Sequence, residues 1–456
     1  MEKMAMNDLP KGWECVNLID FMYSVPTGVP KFSDKRKYYS TGSINGKDRI
    51  PEGEYFFANR PSRANRIAMK DDVLQARMQN TDKALVIQEP LADQLFSTGF
   101  LQLRPIAKTY ESNLLFYFIK SDYFLKQRDE LATGSTQIAL TDTNAINLKL
   151  IVPPLPEQRR IVAKLEKLLH RVDACKERLE KIPTILKRFR QSVLSAACSG
   201  RLTADWRDDD SYEEELPIGW KWITLEELLP PRGIFDGPFG SNLKTADYTD
   251  SGVRVVRLEN VGHLRFLGEK ESFISREKYE MLKKHTVGKG DVIFASFIEE
   301  EIRVCLLPKF LTTAIAKADC FCLRPKEKII NRQYLAYQLV SRESYDKLFE
   351  EVHGATRPRI NTTQLRKLEI RICPLPEQHE IAHRVEALFK KADEIEARYK
   401  KAKAFVDKLT QSILAKAFRG ELVPQDVNDE PASVLLVRIK AEKAKQASKK
   451  KVKKKQ

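Results

Sequence analysis

The pentapeptide Pro154-Leu155-Pro156-Glu157-Gln158 opens the stretch of sequence that decides the fold, because a long heptad pattern follows it directly. Apolar residues then alternate at spacings of four and three positions, which is the a/d pattern of a coiled coil. At 1.5 Å per residue this seam predicts a helix of about 52 Å. The seam consists of Ile161, Leu165, Leu168, Val172, Cys175, Leu179, Ile182, Leu186, Phe189, Val193 and Ala196.

The same stretch occurs a second time, at an offset of 220 residues, after the pentapeptide at residues 374–378. Both helices are predicted to begin after the second proline of the pentapeptide and to end at a glycine, Gly200 or Gly420. Pro183 lies inside the first helix and predicts a kink or an interruption there. The second seam consists of Ile381, Val385, Leu388, Ala392, Ile395, Tyr399, Ala402, Val406, Leu409 and Ile413.

The duplication extends over nearly the whole chain, since the motif at residues 9–13 (LPKGW) recurs at residues 216–220 (LPIGW). The chain therefore reads as two tandem units, each with a variable front followed by a long helix. Two such seams in one chain predict an antiparallel coiled coil that relates the units by a pseudo-twofold axis. The predicted boundaries are 1–152 and 204–372 for the fronts, 153–203 and 373–423 for the helical regions, and 424–456 for the tail.

Each front is predicted to be an α+β domain with a mostly antiparallel sheet. Alternating apolar runs predict strands at residues 84–87, 100–103, 253–258 and 291–295. Amphipathic patterns predict helices at residues 113–125 and 333–349. Residues 320–322 (CFC) are expected to place both thiols on the buried face of a strand.

The net charge of +16 and the pI near 9.3 favour a polyanionic partner such as nucleic acid. More than half of this excess lies in residues 438–456. We predict a short helix at residues 432–445, followed by a disordered tail that ends in the lysine-rich residues 449–455. Seven cysteines without a CxxC pair argue against a disulfide framework, and no apolar run is long enough to span a membrane. These features predict a cytoplasmic protein.

Four short segments resemble catalytic or cofactor motifs, but each lacks a required part. Residues 379–383 (HEIAH) match a zinc-hydrolase motif without an evident third ligand, and residues 42–48 (GSINGKD) fall one residue short of a phosphate loop. Residues 233–240 (GIFDGPFG) and the carboxylates at 299–301 likewise lack the partners that a methyltransferase or nuclease needs. We therefore predict no catalytic residue and no metal site.

Loops rich in residues that hydrogen-bond to bases and phosphates provide the candidate DNA contacts. They are Arg60, Arg63, Asn65, Arg66, Gln75 and Arg77 in the first front, and Ser241, Asn242, Lys244, Arg303, Arg357, Arg359 and Asn361 in the second. The e positions Val162, Leu169 and Phe389 widen the apolar stripe beyond a two-helix seam, which predicts contact with a partner subunit there.

The tandem plan resembles the specificity subunit of type I restriction-modification enzymes. Residues 185–191 (ILKRFRQ) and 411–422 (QSILAKAFRGEL) are similar to the family's spacer segments, and residues 239–244 (FGSNLK) to the start of its target recognition domains. The first front lacks the last of these stretches, so DNA contacts cannot be transferred between the fronts.

The resemblance implies a non-catalytic reader of double-stranded DNA. Each front would be a target recognition domain for half of a bipartite, asymmetric site, and the paired helices would set the spacing. Two methylation subunits carrying S-adenosylmethionine and two restriction subunits using ATP and Mg²⁺ would dock on this chain, which itself would bind no cofactor. The alternative is a coiled-coil scaffold whose end domains bind proteins. Affinity for duplex DNA that falls steeply with salt distinguishes the reader from the scaffold.

Overall fold

The computed structural model describes the chain except residues 1–8, 24, 26, 47, 107, 136, 208–211, 214–215, 241, 353–357 and 454–456. At residues 212–213, 442 and 444–453 it describes the backbone alone. The chain forms two compact units. The first contains residues 1–180 and 401–456, and the second contains residues 181–400. Each unit therefore combines one front with part of both long helices.

The first unit is built from twelve described strands and from six helices, of which the two long ones contribute only in part. Its strands are β1 (Glu14–Asn17), β2 (Met22–Tyr23), β3 (Arg36–Tyr39), β4 (Ile44–Asn45), β5 (Asp48–Arg49), β6 (Gly53–Tyr55), β7 (Ala64–Ile67), β8 (Val73–Ala76), β9 (Ala84–Val86), β10 (Leu95–Ser97), β11 (Phe100–Pro105) and β12 (Lys149–Val152). Its helices are α1 (Ser112–Ile119), α2 (Asp122–Leu131), α3 (Asp142–Ala145) and the first part of α4 (Leu155–Cys198). The end of the second long helix and the final helix, whose ranges are given below, complete this set. Short 3-10 helices cover Leu18–Phe21 and Phe57–Asn59.

Two four-stranded sheets form the first front, in the orders β6-β3-β10-β7 and β2-β11-β8-β9. Strands β3 and β10 pair in parallel, and the other pairs in these sheets are antiparallel. Strands β1 and β12 form a separate antiparallel pair directly before α4. The mostly antiparallel α+β prediction is confirmed for this front.

The second unit repeats this plan. Its strands are β13 (Tyr212–Glu213), β14 (Leu216–Pro217), β15 (Lys221–Thr224), β16 (Ile234–Phe235), β17 (Tyr248–Thr249), β18 (Val253–Val256), β19 (Phe273–Ile274), β20 (Thr286–Val287), β21 (Val292–Ala295), β22 (Val304–Leu306), β23 (Ala314–Ala316), β24 (Cys320–Leu323) and β25 (Glu369–Ile372). Its helices are α5 (Leu225–Leu228), α6 (Arg276–Met281), α7 (Arg332–Leu339), α8 (Arg342–Glu350), α9 (Thr362–Lys367) and the first part of α10 (Leu375–Phe418). Short 3-10 helices cover Arg201–Trp206, Thr245–Asp247, Leu258–Asn260 and Lys283–His285.

The sheets of the second unit have the orders β16-β24-β21-β22 and β17-β19-β18-β23-β20, and only β18 and β23 pair in parallel among them. Strands β15 and β25 pair before α10 as β1 and β12 do before α4. Cys320 and Cys322 are both fully buried on β24, as the alternation predicted. Burial raises the pKa of both thiols above the ordinary range.

The predicted strands are present with shifts of one or two residues, but each predicted front helix is two helices. The break falls at Ser121 in the first unit and at Ser341 in the second, where the hydroxyl accepts a hydrogen bond from the N–H of Phe124 or Ser344. Serine at this position caps the N-terminus of a new helix, because its side chain satisfies a donor that the helix leaves free. The continuous-helix prediction was therefore wrong at these two serines.

The long helices begin and end close to the predicted positions. Each has the second proline of the pentapeptide in its first turn, where the missing N–H removes no helical hydrogen bond. Gly200 and Gly420 follow the last turns with φ of +78° and +75°, a backbone conformation that favours glycine. Pro183 lies on an exposed side of α4 and does not interrupt the helix, although an interruption was one of the two predicted outcomes.

The two long helices pair antiparallel, as predicted. In the first unit, Nζ of Lys176 donates to Oγ1 of Thr410 at 3.3 Å. In the second unit, Arg190 pairs with Asp393 at 2.7 Å and with Glu396 at 2.9 Å. In the second unit, residues late in α4 thus contact residues in the first half of α10. In the first unit, residues in the first half of α4 contact residues late in α10.

Burial along the predicted seam depends on whether a front also covers the helix. Nine seam residues are buried: Ile161, Leu165, Val172, Leu186, Val193, Ile381, Val385, Ala392 and Ile413. Nine are half-buried: Leu168, Leu179, Ile182, Ala196, Leu388, Tyr399, Ala402, Val406 and Leu409. Cys175, Phe189 and Ile395 are exposed, the last two by 37% and 48%, so these three predicted seam positions are not buried. Of the nine buried residues, all except Leu186 and Ala392 belong to a core shared with a front.

A final helix, α11 (Ala432–Lys453), extends beyond the predicted end at residue 445. Its buried residues Ala432, Leu435 and Ile439 recur at helical spacing, and two of them join the core of the first unit. The N–H of Ala432 donates to the carbonyl of Gly12 at 2.9 Å. The prediction of disorder was therefore wrong as far as Lys453.

Candidate nucleic-acid interface

The repeated motifs form one junction in each unit between the front and its long helix. In the first unit, Nε1 of Trp13 donates to Oε2 of Glu157 at 2.9 Å. In the second, Nε1 of Trp220 donates to Oε2 of Glu377 at 3.1 Å. The LPxGW motif thus supplies the donor and the PLPEQ motif supplies the buried acceptor.

The glutamine of each pentapeptide connects the same helix to a loop of the front. In the first unit, Oε1 of Gln158 accepts from the N–H of Glu111 at 2.9 Å, and Nε2 donates to the carbonyl of Pro153 at 3.0 Å. Gln378 makes the same pair of contacts in the second unit, with Asn331 at 2.8 Å and Cys373 at 2.8 Å. Because both glutamines are fully buried, these bonds fix the helix against the front.

The end of each long helix meets the LPxGW motif of the other repeat. A Cβ added to Gly420 would lie 2.2 Å from Cγ of Pro10, within the first unit. A Cβ added to Gly200 would lie 2.7 Å from Cγ of Pro217, within the second unit. Each unit is therefore completed by chain from both repeats.

The two junction carboxylates have different surroundings. Glu377 accepts hydrogen bonds from Arg207 and Thr203, both at 2.7 Å. The side chains of Glu377 and Arg207 are almost fully buried. Glu157 has Gln425 at 3.4 Å instead, and burial raises its pKa. Both units thus share the tryptophan–glutamate contact. The carboxylate of Glu377 is paired with an arginine, whereas that of Glu157 has a neutral glutamine in the corresponding place.

The first-front candidates separate into surface and interior residues. Arg63 is exposed, and Arg60 and Asn65 are half-buried. Arg66 is 4% exposed, with Nη2 lying 3.4 Å from Oγ1 of Thr27. The exposed side of this group is therefore limited to residues 60–65.

Gln75 and Arg77 face the interior. Gln75 is fully buried on β8, where its amide faces the carbonyl of Ile119 and the guanidinium of Arg128. Arg77 donates to the carbonyls of Phe100 and Leu140, each at 3.0 Å, and pairs with Asp142. These contacts favour a structural role for both residues over a DNA contact.

The second-front candidates also differ in role. Ser241 and Arg357 lie outside the described residues. Asn242 and Lys244 are exposed on the loop that follows β16. Arg303 is half-buried and donates to the carbonyl of Leu258 at 3.1 Å.

Asn361 caps helix α9, since its side chain accepts from the N–H groups of Thr363 and Gln364 at 2.9 Å each. In turn, Oε1 of Gln364 accepts a hydrogen bond from the N–H of Asn361, and the two contacts together form a capping box. This contact accounts for Asn361 without nucleic acid.

Three loops of the second front converge on the carboxylates of Asp236 and Asp319. Neither aspartate is among the predicted DNA contacts. Oδ1 of Asp236 accepts from the N–H of Gly237 at 2.7 Å and of Asp319 at 2.9 Å. Nη1 of Arg359 lies 3.6 Å from Oδ1 of Asp319. Burial is the main cause that raises the pKa of Asp236 to about 6. The Asp-Gly pair at residues 236–237 is a turn signal that was available in the sequence.

This arrangement, which we call the loop cluster, presents Phe239, Lys244, Lys317 and Arg359 from three separate segments. Phe239 is 54% exposed, and Arg359 carries an exposed guanidinium. Backbone bonds from Ile298 to Pro358 and from Ile360 to Ser296, each 3.0 Å, fix the segment that holds Arg359. A rigid base thus holds aromatic and cationic groups at the surface.

The three predicted partner contacts pack within their own units. Val162 and Leu169 are half-buried against the core of the first unit, and Phe389 against that of the second. The ring of Phe389 lies 6.4 Å from that of Tyr337 on α7. The wider apolar stripe is therefore explained by the fronts, which cover the helices on that side.

The rejected motifs have ordinary surroundings. Glu380 pairs with Arg384 at 2.6 Å, and Nδ1 of His379 lies 3.1 Å from Nδ2 of Asn331. No group of three metal-ligating side chains occurs among the described residues. Within the same residues, no helix is long and apolar enough to cross a membrane.

A family model described as the type I restriction modification DNA specificity domain matches residues 10–184 and 243–403. The chain belongs to this family. Each matched segment contains most of one front and part of one long helix, which agrees with the duplication in the sequence.

Individual relatives give the same assignment. The chain is 35% identical over 329 residues to the type I restriction enzyme EcoBI specificity subunit of Escherichia coli, covering 67% of each chain. It is 34% identical over 374 residues to the StySPI specificity subunit of Salmonella potsdam, covering 77% of this chain and 76% of the relative.

Solved structures share the fold. A chain from a study of complex assembly and conformational transition in a type I R-M system has a TM-score of 0.70, at 24% identity over 91% of this chain and 99% of that one. The HsdS subunit of Thermoanaerobacter tengcongensis has a TM-score of 0.61, at 23% identity over 91% of this chain and 98% of that one.

Proposed function

We propose that this chain is the DNA-reading component of a type I restriction-modification complex and carries no catalytic site of its own. One observation supports this most strongly: two units with the same helix junction present different surface loops. The shared junction accounts for the common architecture of the units. Recognition of two different half-sites requires different loops, because base contacts determine which sequence is bound.

Each front would read one half of a bipartite, asymmetric site in double-stranded DNA. In the second front we assign this role to the loop cluster, whose arginine and lysines can bind bases and phosphates. In the first front the surface residues Arg63 and Asn65 are better placed to contact bases than the buried Gln75 and Arg77.

The paired helices would set the gap between the half-sites. Helices α4 and α10 each contribute residues to both units. Their length would then fix the number of base pairs between the two recognised sequences.

The reaction itself would belong to partner subunits. We propose that two methylation subunits, which bind S-adenosylmethionine, and two restriction subunits, which use ATP and Mg²⁺, assemble on this chain. The relative whose solved structure concerns assembly of a type I R-M system supports such a complex. This chain would supply the choice of DNA sequence, and the partners would supply the chemistry.

An exchange of fronts tests the assignment. Residues 216–372 are replaced by the corresponding front of another family member, and the methylated positions of a host that expresses the complex are mapped. We expect one half-site to change and the other to stay. Exchange of residues 9–152 is the matched control and should change only the other half-site. A change of both halves in either exchange would contradict the assignment.

Insertion of one heptad at facing positions of α4 and α10 tests the spacing role. Seven residues add about 10 Å of helix, or about three base pairs of duplex. The preferred gap should lengthen by that amount while both half-sites stay the same. An unchanged gap would refute the proposed control of spacing.

A further inference from the structure

Positive charge in the first front is concentrated in one segment. Residues 28–66 contain nine Lys and Arg against four Asp and Glu. The rest of residues 1–152 contains eleven Lys and Arg against fourteen Asp and Glu. The basic segment includes β3, β6 and the start of β7, which are three of the four strands in one sheet. The front as a whole is nearly neutral, so its excess positive charge lies in this segment.

Aromatic and cationic side chains alternate on the loops that flank these strands. Each of three cations lies over a phenylalanine ring: Arg36 over Phe32 at 4.6 Å, Lys35 over Phe56 at 5.4 Å, and Arg60 over Phe57 at 4.1 Å. The rings of Phe32 and Phe57 meet edge to face at 5.7 Å. We call the surface formed by Phe32, Lys35, Arg36, Phe56, Phe57 and Arg60 the aromatic–basic surface.

Two of its arginines are held in place by the chain itself. Arg60 donates to the carbonyl of Phe57 at 2.6 Å and to that of Ala64 at 3.2 Å. Arg36 donates to the carbonyl of Asp93 at 3.0 Å and lies 3.4 Å from Asp34. Because these contacts tie each guanidinium to the chain, both arginines are held at fixed positions on the surface.

Lys35 and Phe56 are the outer members of the surface, and they contact each other through the cation–π pair given above. Lys35 is exposed, and Phe56 is 45% exposed although its neighbours Phe32 and Phe57 are half-buried. An ammonium group binds phosphate as a point charge, and an exposed aromatic face packs against a sugar or a base step. Neither group specifies a base.

We propose that the aromatic–basic surface binds the sugar–phosphate backbone of duplex DNA and positions the first front on it without reading sequence. This inference rests on the proposed function and adds the surface through which the first front grips its DNA. Lys35 contacts a phosphate, Phe56 packs against the adjacent sugar, and Arg36 and Arg60 contribute positive potential from fixed positions.

Lys35→Ala and Phe56→Ala test this role in the full chain assembled with its methylation subunits. Binding is measured to a duplex with the mapped target site and to one with a scrambled site, between about 50 and 200 mM salt. Lys126→Ala is the matched control, because Lys126 is an exposed lysine on α2 outside the surface.

Lys35→Ala should weaken binding to both duplexes by the same factor and reduce the slope of log K against log salt by about 0.9, the value for one phosphate contact. Lys35→Arg should keep the wild-type slope. Phe56→Ala should weaken binding to both duplexes equally and leave the slope unchanged. Lys126→Ala should match the wild type in both respects.

Two results would overturn the inference while the proposed function stands. One is a wild-type salt slope in Lys35→Ala. The other is a changed ratio between target and scrambled duplexes in either variant, since a positioning contact cannot alter sequence preference. If the wild-type complex itself did not distinguish the two duplexes, the proposed function would fail together with this inference.

Discussion

Substitution of Gly420 by alanine should destabilise the first unit through two separable effects. Gly420 has a φ of +75°, and alanine in such a conformation costs about 1–2 kcal/mol. The added Cβ would also lie 2.2 Å from Cγ of Pro10, so the proline ring or the helix end must shift. Overpacking of this kind costs about 1–3 kcal/mol. The total is about 2–5 kcal/mol, or a fall in Tm of about 4–20 °C for a unit of this size.

Gly46→Ala is the matched control. Gly46 lies in the same unit and has a φ of +55°, but no heavy atom lies within 4 Å of the Cβ position, so only the backbone cost applies. Differential scanning calorimetry of the full chain should show a larger fall for Gly420→Ala than for Gly46→Ala. The double variant Pro10→Ala/Gly420→Ala should recover most of the difference. Equal falls for the two glycines would refute the contact between the helix end and the LPxGW motif.

Three further outcomes are expected. Arg77→Met should destabilise the first unit by about 2–4 kcal/mol in denaturant titration, because two buried carbonyls lose their donor; an exposed DNA contact would leave stability unchanged. Trp13→Phe should cost about 1–3 kcal/mol by the same assay, since the bond to Glu157 and part of the buried indole ring are both lost; no loss of stability would contradict the junction. Because the pKa of Asp236 is raised to about 6 in the folded protein, its protonated carboxyl contributes to folding stability, and this contribution is lost as pH rises through about 6. Between pH 5 and 7 the wild type should therefore lose stability relative to Asp236→Asn, and parallel melting curves would contradict this.

The long helices were predictable because their signals are local and repeated. The heptad seam, the prolines at the start and the glycines at the end all specify helix without reference to distant residues. Antiparallel pairing also followed, since two long apolar seams in one chain must be covered. The break at Ser121 was missed because an apolar pattern continues across it, although serine is a known N-cap residue.

The candidate site was less predictable because exposure depends on tertiary packing. Gln75 and Arg77 have the composition of a DNA-reading loop, but Gln75 lies on β8, whose four residues are all buried inside the sheet, and Arg77 directly after it is buried against two carbonyls. Phe189 and Ile395 fit the heptad seam and are nevertheless exposed, because coverage by a front is not encoded in the spacing. The role of Asn361 was visible in principle, since Asn-Thr-Thr-Gln at residues 361–364 is a capping-box sequence.

The completion of each unit by chain from both repeats has a consequence for synthesis of the protein. The second unit is continuous in sequence, so all of it has been translated once residue 400 is made. The first unit must wait for residues 401–456, which are translated after the second unit. At about 5–20 residues per second, about 10–45 s separate its two parts. The front made first is therefore the last to acquire its complete core, and until then the apolar residues of α4 that belong to the first unit have no partner from α10.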